Sequence, residues 1–156
     1  RAVKVAGGHH AGSSWGFWLF GMKGRGCWGT RTRYHGQLSG ESVTCGFSVP
    51  EHRYQLAATG ALPGKPSTGL LFFLVRSPEV ARLKVRYSRG NGPTRWVTMD
   101  AQPVHSNRHP AAEVPAGVGS AVAVVNGAAV CPRRVIALNR RRQVVGRSAL
   151  PQCGEQ

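Results

Sequence analysis

Residues 81–87 read Ala-Arg-Leu-Lys-Val-Arg-Tyr, with Ala81, Leu83, Val85 and Tyr87 alternating against Arg82, Lys84 and Arg86. A period of two sorts these residues into one apolar and one cationic face in a strand, but scatters them around a helix. Just before it lies the most apolar stretch of the chain, Gly69 to Val75 (GLLFFLV). At seven residues without alternation it reads as a central strand buried on both faces. Such a pair of segments demands a sheet with a covered centre.

The remainder conforms. Short strand candidates run over Trp15 to Met22, Cys27 to Tyr34, Ser42 to Val49, Arg53 to Thr59, Arg95 to Met99, Gly119 to Val125, Arg133 to Leu138 and Gln143 to Arg147. Turn signals separate them: Gly24-Arg25-Gly26, the Gly60 to Thr68 loop with Pro63 and Pro66, Arg89 to Pro93, and Asn139 to Arg142. With 21 Gly and 10 Pro, a fifth of the 156 residues is turn-forming. Leu, Glu, Lys and Gln are too scarce for a helical bundle, and no apolar run approaches the ~18 residues of a membrane span. About ten short strands at regular spacing imply an all-β, antiparallel β-sandwich. Residues 1–14, small and Gly-rich, read as an extended N-terminal arm. Residues 15–156 read as a single domain, long enough to bury a core unaided.

Four cysteines, Cys27, Cys45, Cys131 and Cys153, are widely spaced, with no CxxC and no zinc-ligand spacing. Of the three possible pairings, the local one (Cys27 with Cys45, Cys131 with Cys153) is cheapest in loop closure and is the expected one. Each bridge contributes ~3 kcal/mol by loop entropy. Disulfides imply an oxidising compartment, and hence export. The chain starts at Arg1 without an initiator Met, as expected of a mature form whose signal peptide has been removed.

The order of elements resembles small exported β-sandwich proteins of actinobacteria, including Streptomyces-like ones. The resemblance rests on an aromatic strand, a first Cys and Cys45-Gly46, then Val80-Ala81-Arg82-Leu83-Lys84-Val85. It continues with Arg134 to Asn139 followed by Gln143-Val144-Val145-Gly146-Arg147. It spans roughly residues 15–148 and describes strands rather than a site. Where such proteins place an acidic, Gly-containing hairpin turn, this chain has Asn139-Arg140-Arg141-Arg142. The resemblance implies a fold and a compartment, and no catalytic residues.

Motifs for chemistry are weak. Gly24-Arg25-Gly26-Cys27-Trp28-Gly29 matches the letters of a dinucleotide fingerprint, but that site needs a helix opening at the glycines. Gly12-Ser13-Ser14-Trp15-Gly16, with Asp100 and His105 downstream, matches a nucleophile elbow, which needs a strand-turn-helix. Glu41, Glu51, Glu79, Asp100, Glu113 and Glu155 are scattered. The pairs Glu41 with Glu51 and Glu79 with Asp100 are the ones that folding could bring together for glycosidase chemistry. The plainer reading is that each acid pairs with a surface arginine. His9 and His10 are adjacent and point apart on an extended segment, and His105 and His109 have no acid or thiol to complete a metal set. No catalytic residue, metal or cofactor is expected.

Charge is the sharper feature. Lys+Arg 21 against Asp+Glu 6 gives +15, above the ~2–8 usual for a small domain, and attracts polyanions. Arg outnumbers Lys 17 to 4, which also fits a GC-rich genome. The anion-binding candidates are Arg82, Lys84 and Arg86 on one strand and Arg133, Arg134, Arg140, Arg141 and Arg142 around the C-terminal hairpin. Arg95 and Arg147 extend them, and Arg31 and Arg33 form a second stripe. Guanidinium forks suit phosphate and carboxylate oxygens. The plain alternative is a solvated sheet face. Of Trp15, Trp18, Trp28 and Trp96, Trp18 and Trp96 are the ones expected in the core. The first expectation for function is a non-catalytic secreted adaptor that engages another exported protein by strand addition through Val3, Lys4 and Val5. Alternatives are a binder of anionic polymers (teichoic acid or extracellular nucleic acid) through the Arg-rich hairpin, and a small secreted hydrolase or hydrolase inhibitor.

Overall fold

A computed structural model describes residues 2–63, 68–90, 92–104, 113–127, 129–150 and 153. Among them are twelve antiparallel strands in three four-stranded sheets, and no helix. The first sheet has the order β1 (Val3–His10), β2 (Ser13–Met22), β3 (Arg25–Tyr34) and β4 (Gln37–Cys45). The central sheet runs β5 (Tyr54–Leu62), β6 (Thr68–Arg76), β10 (Val118–Asn126) and β9 (Gln102–Pro103). The third runs β12 (Val144–Ala149), β11 (Val130–Leu138), β7 (Arg82–Arg89) and β8 (Thr94–Asp100).

The apolar run of the sequence is β6, and its residues sort to two cores. Leu71, Phe73 and Val75 pack with Leu83, Val85, Val135 and Met99 of the third sheet. Leu70, Phe72 and Leu74 pack with Phe17, Leu19 and Trp28 of the first. The central sheet is therefore sandwiched on both sides. Six fully buried side chains on one strand contribute on the order of 10 kcal/mol at ~1.5–3 kcal/mol each, an upper bound. Gly69 at its start is required by close approach, since a Cβ there would press on the Gly127 carbonyl and the Val130 side chain.

The first sheet is a meander built on one device used three times. Its turns are Ala11-Gly12, Lys23-Gly24 and His35-Gly36, and all six residues have positive φ. Positive φ at both central positions marks a type I′ turn, whose twist suits a two-residue hairpin. The turns recur every twelve residues, which makes strands of about ten.

Several expectations change here. Within the expected extended arm, residues 3–10 form β1, which pairs with β2 from Val3 opposite Leu19 to His10 opposite Ser13. Val3 is buried and Val5 half-buried against the Phe17 core, which leaves Lys4 as the exposed member of the three. Val3 shares the inner side with Leu19 and is buried there. The candidate strand at 42–49 is β4, but it starts at Gln37 and ends at Cys45, because Gly46 turns with φ of 105°. Trp18 and Trp96 are not core. Trp18 lies opposite Gly29 on the outer side, and Trp96 lies opposite Arg86 and is 49% exposed. The buried indole is Trp28, whose Nε1 donates to the Ala57 carbonyl at 2.9 Å across the two sheets. His105 and His109 lie outside the described residues, as does Glu155.

Both disulfides have the local pairing: Cys27 with Cys45 directly across β3 and β4, and Cys131 with Cys153. The β11–β12 hairpin turns at residues 139–142. The Asn139 side-chain oxygen accepts from the backbone N–H of Arg141 and of Gln143. Arg142 then sits at φ of 62°, the left-handed position where hairpins of this length favour glycine. A side chain there costs ~1–2 kcal/mol. Arg142→Gly is expected to stabilise the protein by about 1 kcal/mol in urea titration. A fall in stability would show that the Arg142 side chain makes a compensating contact.

Candidate functional site

The alternation that defines β7 fixes the outer face of the third sheet. Leu83, Val85 and Tyr87 turn inward, so Arg82, Lys84 and Arg86 turn out. The register of neighbouring strands then decides what joins them, because directly opposed residues share a face. Arg134 of β11 is opposite Arg86, and Trp96 of β8 is opposite Arg86 on the other side. Ile136 lies between Lys84 and Arg147 of β12. Asp100 is opposite Arg82 and accepts from its Nε at 3.0 Å. Among the described residues, five cations and an exposed indole thus share one face with a single carboxylate, and that carboxylate is taken. The Lys84 ammonium lies 5.7 Å from the Trp96 ring, within cation–π range.

The pairing of Arg86 with Arg134 is the notable element. Two like charges directly opposite in a sheet repel. Among the described residues no carboxylate pairs with either. An anion bridging the two guanidinium groups would remove the repulsion and gain two-point hydrogen bonding.

The other arginine candidates are dispersed. Arg133 is the bulged residue between Pro132 and Arg134, and its guanidinium is drawn away to the Ser88 hydroxyl at 3.1 Å and the Gly90 carbonyl. Arg95 is opposite Tyr87, on the other side of β8 from Arg86, so it does not extend the stripe. Arg140, Arg141 and Arg142 are exposed at the hairpin tip, at the far end of β11 from Arg133. Arg140 and Arg141 line a shallow recess of about 390 Å³ with Pro78, Glu79 and Asn139. Glu79 is itself held by Arg53 and Arg76.

A second basic surface lies on the first sheet, on the opposite side of the stack. Trp18 rests on Gly16, where any Cβ would run into its ring. Lys4 Nζ lies 5.6 Å and the Arg31 guanidinium 5.7 Å from the Trp18 ring. Arg33 shares this side, and Arg31 is paired with Glu41 at 2.7 Å. A groove of about 910 Å³ runs from here along β1 to Gln102, Pro103 and Val104.

The enzyme-like motifs find no supporting geometry. Gly26 to Gly29 lie within β3, with no helix for a pyrophosphate to cap. Ser14 is the second residue of β2, just after a hairpin turn between two strands rather than at a strand-to-helix turn, and Asp100 is engaged by Arg82. The Ser13 hydroxyl is spent on the Pro63 carbonyl at 3.0 Å. Glu41, Glu79 and Asp100 each pair with arginine, the plainer of the two sequence readings. Among the described residues no three His, Cys, Asp or Glu side chains converge as a metal site. His9 and His10 alternate along β1, as adjacency requires.

No known family, curated protein or solved structure matches this chain.

Proposed function

We propose that this protein is a secreted, non-catalytic binding module for an anionic polymer, held by the outer face of the third sheet. The observation that carries the reading is the Arg86–Arg134 pair, beside Trp96 and, among the described residues, without a carboxylate partner. The two disulfides are consistent with an oxidising, extracellular setting. The excess of positive charge supplies long-range attraction and fast encounter. Arg86, Arg134, Lys84 and Arg147 supply the local contacts. Trp96 offers a flat platform on which a ring of the ligand can stack. The hairpin tip, the alternative expected from sequence for anion binding, becomes a peripheral contributor, since Arg140 and Arg141 share their recess with Glu79.

A polymer of phosphodiesters is the simplest occupant, and two probes separate its sources. One is a 20-residue oligothymidylate and the other poly(glycerol phosphate). Indole fluorescence of Trp96 reports binding in both. Affinity is expected to fall linearly on a log–log plot against salt. Arg86→Ala with Arg134→Ala should reduce that slope for the oligonucleotide by about 1.4, at ~0.7 per phosphate contact on a single strand. The loss of affinity should be on the order of tenfold at ~0.1 M salt. Binding that is insensitive to salt, or a double variant that keeps the full slope, would refute this reading.

A further inference from the structure

We infer that the open edge of β1 is a docking site for an extended acidic segment of another exported protein, which joins the first sheet as a fifth strand. Among the described residues β1 is the terminal strand of its sheet, paired with β2 on one side alone. Which of its backbone groups face outward follows from the turn. Ala11-Gly12 is a two-residue type I′ turn, so His10 and Ser13, which flank it, form the hydrogen-bonded pair. Bonded and non-bonded pairs then alternate along an antiparallel ladder. Gly8 and Ala6 direct their N–H and C=O at β2, and His9 and Gly7 direct theirs away from it. Among the described residues, neither of these outward sets has a backbone partner.

Proteins usually blunt such edges with short strands, prolines, bulges or charges. The other edge of the central sheet is blunted, since β9 has only two residues and one is Pro103. β1 has eight residues and no proline. Its bulge at Val5 and its exposed Lys4 guard one end, which leaves Ala6 to His10 as an unguarded template. Gly7 and Gly8 bring no side chain to obstruct a neighbour. The groove of about 910 Å³ follows this edge, with Gln102, Pro103 and Val104 as its far wall. Its charged and ionisable lining consists of Lys4, His9, Arg31 and Arg33, with no Asp or Glu. That lining selects an acidic segment. It also disfavours a second copy of this chain, which carries +15. The N-terminal segment, expected from sequence to be donated as a strand, is instead the acceptor. This inference is independent of the anionic-polymer reading, since the two surfaces lie on opposite outer sheets.

The experiment is NMR of the oxidised protein titrated with three ten-residue peptides: (Thr-Glu)5, (Thr-Gln)5 and (Thr-Lys)5. Hydrogen exchange is followed at Gly7 and His9. Both amides are expected to exchange freely in the protein alone and to become protected, tenfold or more, with the acidic peptide only. His9→Pro removes one outward N–H without breaking a β1–β2 bond, and edge strands tolerate this. It is expected to lose tenfold or more in affinity, whereas His9→Ala keeps the donor and most of the binding. No binding by the acidic peptide, or binding that leaves both amides unprotected, would overturn the inference. Protection of the same amides in a concentration-dependent dimer of the protein alone would overturn the acidic occupant in favour of a second copy.

Discussion

Trp28→Ala is expected to cost about 3–5 kcal/mol, enough to unfold much of the population of a typical domain at 37 °C. Trp28 is 3% exposed and is the largest buried side chain of the core between the first sheet and the central one. Its ring packs edge-on to Phe47 at 5.3 Å. Its Nε1 donates to the carbonyl of Ala57, the residue bulged out of the β5–β6 ladder between Leu56 and Ala58. A bulge leaves a residue outside the regular ladder, and here the indole from another sheet answers its carbonyl. Two contributions are thus lost together, packing volume and the partner of a buried acceptor. Trp28→Phe separates them: it keeps an aromatic ring but leaves the Ala57 carbonyl without its donor, for about 1–3 kcal/mol. Urea denaturation of both variants checks the order. If Trp28→Phe were neutral, the sheet-to-sheet hydrogen bond would contribute nothing measurable.

That contact also shows where sequence reasoning reached its limit. Four tryptophans could be counted, and alternation requires some to face inward. Nothing local distinguishes Trp18 from Trp28. The choice was made by Gly16, which lets the Trp18 ring lie on the outer side of the sheet, and by the Ala57 carbonyl, 29 residues from Trp28. By contrast, β6 and β7 were legible because their signals are local: an unbroken apolar run and a strict period of two. The disulfide pairing was legible because short loops close most cheaply. The first sheet was read only in part. Ala11-Gly12, Lys23-Gly24 and His35-Gly36 lack the Asn-Gly or Asp-Gly letters usual for type I′ turns. Their twelve-residue spacing is the signal that could have revealed β1 as the first strand of a meander.

The candidate face was half legible for the same reason. Arg82, Lys84 and Arg86 follow from the pattern of one strand. Their neighbours depend on the register between β7 and β11, and a bulge at Arg133 sets it. Without that bulge Arg133, not Arg134, would share the face with Arg86. One extra residue in a ladder exchanges the two faces of everything beyond it. The bulge thus separates two adjacent arginines, one bound to Ser88 and one facing solvent across from Arg86. Proximity in sequence made all the C-terminal arginines look like one cluster, and the ladder distributes them over a face, a strand end and a turn.

Replacing Cys131 and Cys153 together by alanine is expected to lower stability by about 3 kcal/mol, and the melting temperature by roughly 6–12 °C. The bond spans 22 residues, and opening it returns that loop's freedom to the unfolded chain. Its effect should also be uneven within the folded protein. β12 is an edge strand with mostly exposed side chains, held to the sheet by β11 alone. It has two tethers besides that ladder: the turn at Asn139 and the bond from Cys153 back to Cys131. With the second cut, the anchors at the end of β12 among the described residues are a hydrogen bond between the Tyr54 and Ser148 hydroxyls, the Leu150 N–H to the Arg133 carbonyl, and the packing of Leu150 against the core. Amides from Arg147 to Leu150 should therefore exchange by local opening, well before the rest of the sheet unfolds. The other bond differs in kind. Cys27 and Cys45 face each other across β3 and β4, inside a hairpin already held by its own ladder and turn. Its removal should cost a similar ~3 kcal/mol through the unfolded chain, with less fraying at the Cys45 end of β4, where the next residue, Gly46, donates its N–H to the Gly26 carbonyl. Hydrogen exchange on the two double variants makes the comparison. Equal protection of β12 with and without the Cys131–Cys153 bond would show that the β11 ladder alone holds it, and that the tether acts only on the unfolded state.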